Sequence, residues 1–350
     1  MKVFFTPYYK NNPYQKRIID KFSDLGMHID IAATGAGAFF KTPKLKEANI
    51  IHFHWFEPFI KSNSYTKSLF KAFVFLVRLY FFKKDKKYVW TVHNLVNHEK
   101  KNVSIDRFFL FFFKRLIDSF FVHNTFTKEK LVKEFGISEN KIFLIPHGNY
   151  CDDYSPFLGD KKAFKKDIIK IPEDKFTFTF LGNIRPYKGV LDLISAFKSM
   201  NNDNCQLLIC GHVTNPEDKA LIISKIAGYS NIYFKPGYVA NNELQGYIKT
   251  SDVMVYPYKD ILTSGSLILG MSLKSACLVS NVGSMAELIN KEFVFNNTDD
   301  LVVKMDALAS MDALKIKQVG IANFKKIEAD TWLKMATSLK DVYSNLTKHN

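Results

Sequence analysis

Cysteine is scarce in this 350-residue sequence. Only Cys151, Cys205, Cys210 and Cys277 occur, and no two form a C-x-x-C pair. That excludes a zinc knuckle or a dithiol redox motif and fits a reducing compartment. Apolar runs long enough to span a bilayer are missing too. The two richest stretches, Leu69 to Phe82 and Phe108 to Phe121, are interrupted by Lys71, Arg78, Lys114 and Arg115. Neither reaches the roughly 20 apolar residues that a spanning helix needs. Low-complexity tracts and repeats at solenoid or propeller periods are absent, which argues against disorder and against a repeat array. The start, MKVFFTPYY, is a poor secretory signal, because its apolar run is short and is broken by Pro7 and Lys10-Asn11-Asn12. It reads as a first buried strand and predicts a chain that stays in the cytoplasm.

Acidic charge is also short: 34 Asp and Glu stand against 49 Lys and Arg, a net charge of +15. The surplus is uneven. Residues 1–150 hold 25 basic and 12 acidic side chains, or +13, and the remaining 200 hold 24 and 22, or +2. The N-terminal half is therefore the half expected to meet something anionic. Its Phe-rich stretches admit two readings. They are buried core helices with snorkelling cations, or a basic aromatic face resting on an anionic membrane. Nucleic acid is not expected, since no helix-turn-helix, RNA-recognition or zinc-finger signature accompanies the charge.

The length suggests two domains. In the first half the pattern predicts strands at Lys2–Thr6, Met27–Ala32, Ile50–Phe53, Tyr88–Val92, Ser119–Val122 and Ile142–Ile145. Helices are expected near Pro13–Leu25, Tyr65–Phe82, Ile105–Ile117 and Thr127–Phe135. A second cycle predicts strands at Phe176–Leu181, Gln206–Cys210, Ile232–Lys235, Val253–Tyr256, Cys277–Ser280 and Glu292–Phe295. Its helices are expected near Gly189–Ser199, Glu217–Ala227, Asn242–Lys249 and Gly265–Leu273, with more helix from Leu301 onward. Continuously apolar strands alternating with helices imply α/β architecture: two Rossmann-like, doubly wound parallel sheets. Polar, charged Cys151–Pro172 reads as the linker. The expected domains are 1–155, joined by a last helix at about 330–350, and 156–329. Such sheets bind ligands at the carboxyl ends of their strands, at the topological switch points. If the two switch points face each other, the ligand lies in a cleft between the domains.

Two turns after strands in the second half carry chemistry. Leu181-Gly182-Asn183-Ile184-Arg185-Pro186-Tyr187-Lys188-Gly189 follows the β-like run FTFTF and precedes a helix. Gly182 allows close backbone approach. Arg185 and Lys188 are placed to hold a diphosphate, the first by a fork and the second as a point charge. Tyr256-Pro257-Tyr258-Lys259-Asp260-Ile261-Leu262-Thr263-Ser264-Gly265-Ser266 follows another strand. Thr263 or Ser264 would cap the next helix, whose free N–H groups make Thr263, Ser264, Gly265 and Ser266 a second wall for an anion. The ordinary alternatives are a solvated basic turn and an ordinary capped helix. No Asp-x-Asp occurs, so the expected site uses no metal.

FLGNIRPYKGVLDLISAF, PGYVANNELQGYIKTSDVMVYPY and LTSGSLILGMSLKSACLVSNVGSMAELI together resemble the donor-binding domain of GT-B glycosyltransferases. The resemblance is to the large retaining family that includes bacterial polysaccharide and sucrose-type transferases. It runs in order through most of the chain, from IPHG at Ile145–Gly148 to Trp332 and Tyr343 in a terminal helix, which in that fold returns to the N-terminal domain. The family's Glu-x7-Glu pair falls on Ile261 and Leu269, and the second Glu usually holds the ribose hydroxyls. The family's usual Arg falls on Asn183, with Arg185 as the replacement. These departures imply an outlying branch and leave the stereochemical course open.

In the first half, Ile51-His52-Phe53-His54-Trp55-Phe56-Glu57 follows a strand, and His52 and His54 share a face. The H-x-H pair reads as one cleft-lining histidine rather than a metal site. Thr91-Val92-His93 resembles the family segment that carries a sugar-facing His, a role that the resemblance gives to His93. His98, Glu99 and Glu57 are the candidates for acceptor deprotonation. His123 and His147 each end a strand, and His147 matches the family's His-Gly near the phosphate. By the same resemblance, backbone near Tyr238 and Val239 meets the base. Gly35-Ala36-Gly37 lacks the third glycine of a dinucleotide motif and reads as a loop.

The expectation is a glycosyltransferase. It would move a hexosyl group from a nucleoside diphosphate sugar, GDP-mannose first, to a glycan or lipid-linked acceptor at the inner face of the cell membrane. The rivals are a nucleotide-sugar 2-epimerase of the same fold and a non-catalytic binding subunit. Oligomeric state is left open.

Overall fold

The structure, a computed structural model, describes residues 1–10, 12–31, 39–95 and 103–348. The chain divides into two compact units, Met1–Gly148 with Asp330–Asn350, and Asn149–Ala329.

The first unit is built on a six-stranded parallel sheet. Its strands are β1 (Val3–Thr6), β2 (Ile29–Ile31), β3 (Ile50–Phe53), β4 (Lys87–Thr91), β5 (Ser119–Val122) and β6 (Ile142–Leu144). Their order is β2-β1-β3-β4-β5-β6. Order reverses at β1, so the switch point lies between β1 and β3. β1, β3 and β5 are buried at every residue. Burial on both faces is why they read as unbroken apolar runs rather than alternating ones. Helix Pro13–Asp24 starts where Asn12 accepts a hydrogen bond from the Tyr14 N–H and Pro13 takes the first helical position. Helix Thr125–Phe135 is capped by Asn124 and stopped by Gly136 in the left-handed region. The last helix, Trp332–Lys348, packs on Pro13–Asp24, with Tyr343 stacked on Phe22.

The second unit repeats the plan. β7 (Phe176–Leu181), β8 (Cys205–Gly211), β9 (Ile232–Pro236), β10 (Val253–Tyr256), β11 (Ala276–Ser280) and β12 (Val294–Phe295) form a parallel sheet in the order β12-β11-β10-β7-β8-β9. This is the doubly wound dinucleotide-binding order, with its switch point between β7 and β10. All seven residues of β8 are buried. Burial of each large apolar side chain contributes ~1.5–3 kcal/mol.

Most expected elements lie within a residue or two of the observed ones. Glu292 differs: it sits in a 3-10 turn, and the last strand is only Val294–Phe295. Cys151–Pro172 differs more. It is not a free linker but part of the second unit, helical through Lys161–Ala163 and Phe164–Ile169. Its apolar residues explain this. Ile169 and Ile171 are buried, and Phe164 lies so close to the helix Leu244–Lys249 that a side chain at Gly246 would overlap its ring. The boundary correspondingly lies after Gly148, earlier than residue 155. The Asn149 side chain donates to the Ile327 carbonyl, the Tyr150 N–H donates to Ser272 Oγ, and the Gln245 side chain clasps Tyr154 and Phe157.

The Phe-rich helices are neither wholly buried nor wholly exposed. In Tyr65–Phe82 the core face is Ser68, Ala72, Phe75, Leu76 and Leu79. The opposite stripe, Phe70, Phe73, Val77, Tyr80 and Phe81, faces solvent. No helix among the described residues is long and apolar enough to cross a membrane.

Candidate active site

In the second unit the two expected turns converge at the switch point. One leaves β7, and the other leaves β10. Pro186–Lys188 forms a single 3-10 turn, and Ser264 caps the helix Gly265–Ser272 by accepting from the Leu267 N–H at 3.2 Å. Thr263 is therefore not the capping residue. Tyr258 joins the two turns. Lys188 Nζ donates to the Tyr258 hydroxyl at 3.3 Å and lies 4.9 Å from its ring centre. The same hydroxyl lies 2.8 Å from Ser266 Oγ, which is 3.4 Å from Ser264 Oγ. The Tyr258 carbonyl is fixed in turn by Ser280 Oγ at 2.6 Å.

Two glycines make this approach possible. Gly189 has φ +67°, and a Cβ there would stand 1.8 Å from the Pro257 carbonyl oxygen. Gly182 has φ +148°, and a Cβ there would press on Lys188 Nζ at 3.3 Å. Both backbone conformations favour glycine.

Among the described residues no carboxylate pairs with Lys188. Burial works against its charge, but Tyr258 and Tyr187 outweigh that, and its pKa is raised above the usual value. Arg185 acts on it in the opposite sense, so the two cations are near enough to influence one anion. Arg185 nevertheless borders a different depression, lined with Pro186, Gly189, Asp218 and Lys259. The cavity at the ends of β7, β8 and β10 is lined by Gly182, His212, Tyr238, Val239, Ser266 and Leu269, among others. Tyr238 is exposed, and its ring is stacked on His212 at 4.5 Å and 10°. Leu269 puts an aliphatic chain where the family resemblance implies a carboxylate. An ammonium held by a phenol, a helix start and a stacked aromatic pair can together receive a phosphorylated aromatic ligand.

In the first unit, four strands in a row each deliver a histidine at or just past their carboxyl ends: His54, His93, His123 and His147. Tyr14 sits among them, with ring centres 5.9, 4.7, 5.4 and 5.2 Å away. Its hydroxyl lies 3.1 Å from His123 Nε2, while His123 Nδ1 donates to the Ile145 carbonyl at 2.8 Å. Burial lowers the pKa of all four. His123 falls to about 4 and His147 to about 3, and His54 and His93 fall well below the usual value. The four imidazoles are therefore neutral at pH 7.

His93 is half-buried, stacked on Trp55 at 4.5 Å. Its Nε2 lies 3.4 Å from His54 Nδ1, and the buried His54 Nε2 has no partner. A buried lone pair without a partner costs less than a buried N–H without one. That assigns the proton to His54 Nδ1 and makes His93 Nε2 the acceptor, leaving the His93 proton on Nδ1 as a donor.

The other expectations fare differently. His52 and His54 are both fully buried, so neither is the open cleft residue expected of the H-x-H pair. Tyr343 explains His52: its hydroxyl lies 2.5 Å from His52 Nδ1, and Thr91 Oγ1 holds Nε2 at 2.7 Å. His147 is buried against Trp332 and donates to the Gly148 carbonyl at 2.8 Å. Glu57 is half-buried and opens the short helix Glu57–Ile60. Glu99, His98 and the Gly35-Ala36-Gly37 loop lie outside the described residues. No group of three metal-ligating side chains occurs among those described. Tyr258, Tyr14 and His212 are the residues that sequence reasoning missed. The clearest available signal was the second tyrosine of YPY, one residue past a strand-ending Pro.

Two doubly wound parallel sheets, the second presenting a cation at its switch point, define a protein of the GT-B class. Residues 161–319 match the model of glycosyl transferases group 1. A GDP-mannose:glycolipid 4-beta-D-mannosyltransferase of Xanthomonas campestris pv. campestris is 24% identical over 295 residues, 83% of this chain and 76% of that protein. A UDP-Gal:alpha-D-GlcNAc-diphosphoundecaprenol alpha-1,3-galactosyltransferase of Escherichia coli is 23% identical, covering 64% of this chain and 59% of its own. Sucrose-phosphate synthase from Thermosynechococcus elongatus superposes with a TM-score of 0.77 at 15% identity, over 100% of this chain and 99% of its own. The chain thus carries a glycosyl transferases group 1 domain on a GT-B fold and is a glycosyltransferase.

Proposed function

We propose that this protein transfers a hexosyl group from a nucleoside diphosphate sugar to a hydroxyl of a lipid-linked glycan in surface polysaccharide synthesis, of the capsule or exopolysaccharide kind. GDP-mannose is the first donor to test and UDP-sugars the second, since relatives with each donor in their names are similar to this chain. The second unit takes the donor. The base lies by Tyr238 and Val239, and the diphosphate is held by Lys188, Arg185 and the Thr263–Ser266 turn. The bond from anomeric carbon to phosphate oxygen breaks, and the acceptor oxygen forms the new bond. Charge growing on the leaving diphosphate is met by these protein donors rather than by a metal. The first unit takes the acceptor. His93 donates a hydrogen bond to the transferring sugar, and Glu57 or Glu99 takes the acceptor proton. The +13 charge of residues 1–150 suits work at the inner face of the cell membrane.

The Lys188–Tyr258–Ser266 network carries this reading. Thermal shift against GDP, UDP, ADP and their sugars tests it, because a ligand bound to the native state raises apparent stability. One nucleoside diphosphate should raise the melting temperature of the wild type, and Lys188→Ala should abolish the shift. No shift with any of them would overturn the donor assignment. Turnover of the donor without acceptor would favour an epimerase.

A further inference from the structure

We infer that the outer face of helix Tyr65–Phe82, continued by Phe111 and Phe112, is a membrane-docking surface that inserts its aromatic side chains into an anionic lipid leaflet. Phe70, Phe73, Val77, Tyr80 and Phe81 are 69, 55, 38, 66 and 76% exposed. They recur at helical spacing on the side opposite the buried stripe, so this is a continuous face and not scattered exposure. From Phe70 to Phe81 it runs about 16 Å along the helix, at about 1.5 Å per residue. Helix Val103–Leu116 packs beside it and adds Phe111 and Phe112, 51 and 44% exposed and in edge contact with each other.

The charge around the face selects the occupant. Residues 61–87 hold eight basic side chains and one acid, and residues 103–116 hold three and one. Lys83 is paired with Asp118 and Lys86 is tied to the Lys46 and Ala48 carbonyls, and the remaining cations still outnumber the acids. Lys67, Lys71 and Lys84 are exposed, and Arg115 lies 3.8 Å over the Phe111 ring. A second copy of this chain would bring the same positive charge against it. An anionic bilayer offers both an apolar layer for the rings and a negative layer for the cations. A helix lying in the interface needs no spanning length, which agrees with the interrupting Lys67, Lys71 and Arg78. The inference serves the lipid-linked acceptor reading but does not depend on the donor site.

Co-sedimentation tests it with vesicles of phosphatidylcholine alone and of phosphatidylcholine with about one third phosphatidylglycerol. The wild type should bind the anionic vesicles at least about tenfold more tightly, with binding weakened by salt. Phe70→Ser/Phe73→Ser/Phe81→Ser should lose about tenfold or more in that affinity while keeping the wild-type melting temperature and nucleotide shift. If that triple variant is destabilised, Phe81→Ser alone, at the most exposed position, should still weaken binding severalfold. Equal binding of wild type and folded variant, equal binding to both vesicles, or a dimer that the substitutions dissolve would overturn the inference. Because the nucleotide shift is read on the same samples, loss of vesicle binding is separable from failure of the donor site.

Discussion

The ammonium of Lys188 and the hydroxyl of Tyr258 lie 3.3 Å apart although 70 residues separate them in sequence. Adjacent strands β7 and β10 bring them together, and the phenol then passes the contact on to Ser266. Tyr258→Phe removes the hydroxyl but keeps the ring. Its expected cost in stability is about 1 kcal/mol. Steady-state kinetics should show a larger effect on the donor, a KM rise of roughly tenfold, with acceptor KM unchanged. An unchanged donor KM would mean that the network is structural only.

Stacking of Tyr238 on His212 offers a platform for an aromatic base. Tyr238→Ala should weaken nucleotide binding by roughly tenfold, since stacking on one aromatic ring is worth about 1–3 kcal/mol. Because Tyr238 is 76% exposed, the melting temperature of the unliganded protein should not move. Isothermal titration with the preferred diphosphate measures the loss.

His93 is kept neutral by burial and by its histidine neighbours. Activity that depends on a neutral donor imidazole should show no His93 titration between pH 6 and 8. His93→Ala should lower kcat on the order of 100-fold, in the range of a positioned catalytic group. A pH–rate profile with a limb near 6.5 that disappears in His93→Ala would contradict the neutral form.

Acid should destabilise the first unit early. His123 and His147 have folded pKa values of about 4 and about 3, below the ordinary 6.5. The unfolded chain therefore binds more protons, and stability is fully present above about 6.5 and lost as pH falls toward the folded values. At pH 5 the loss is on the order of 2 kcal/mol for each such histidine. Melting temperature followed from pH 7.5 to 5 checks the slope, and His123→Gln should flatten it.

Elements were readable wherever one local rule dominated. Phe176–Leu181 is a buried strand because apolar and β-branched residues run unbroken, and Pro13–Asp24 begins where an Asn-Pro pair must cap. Gly182, Lys188 and Ser264 were readable because they stand in turns directly after strands. Cys151–Pro172 misled because its charges conceal Phe164, Ile169 and Ile171, which find partners only in the folded second unit. The H-x-H pair misled for a similar reason. Nothing near it in sequence announces Tyr343, 291 residues away, whose hydroxyl occupies His52.

Local order along the chain was enough to determine the α/β class, two cycles of strand and helix, and the turns that bear cations and caps, because period, propensity and capping act over a few residues. Strand order had to be decided in three dimensions. Only that order puts Tyr258 between Lys188 and Ser266, gathers four histidines around Tyr14, and turns half of a Phe-rich helix outward. Those contacts depend on which strands and helices become neighbours, and burial then sets which imidazoles stay neutral and which aromatic face remains uncovered.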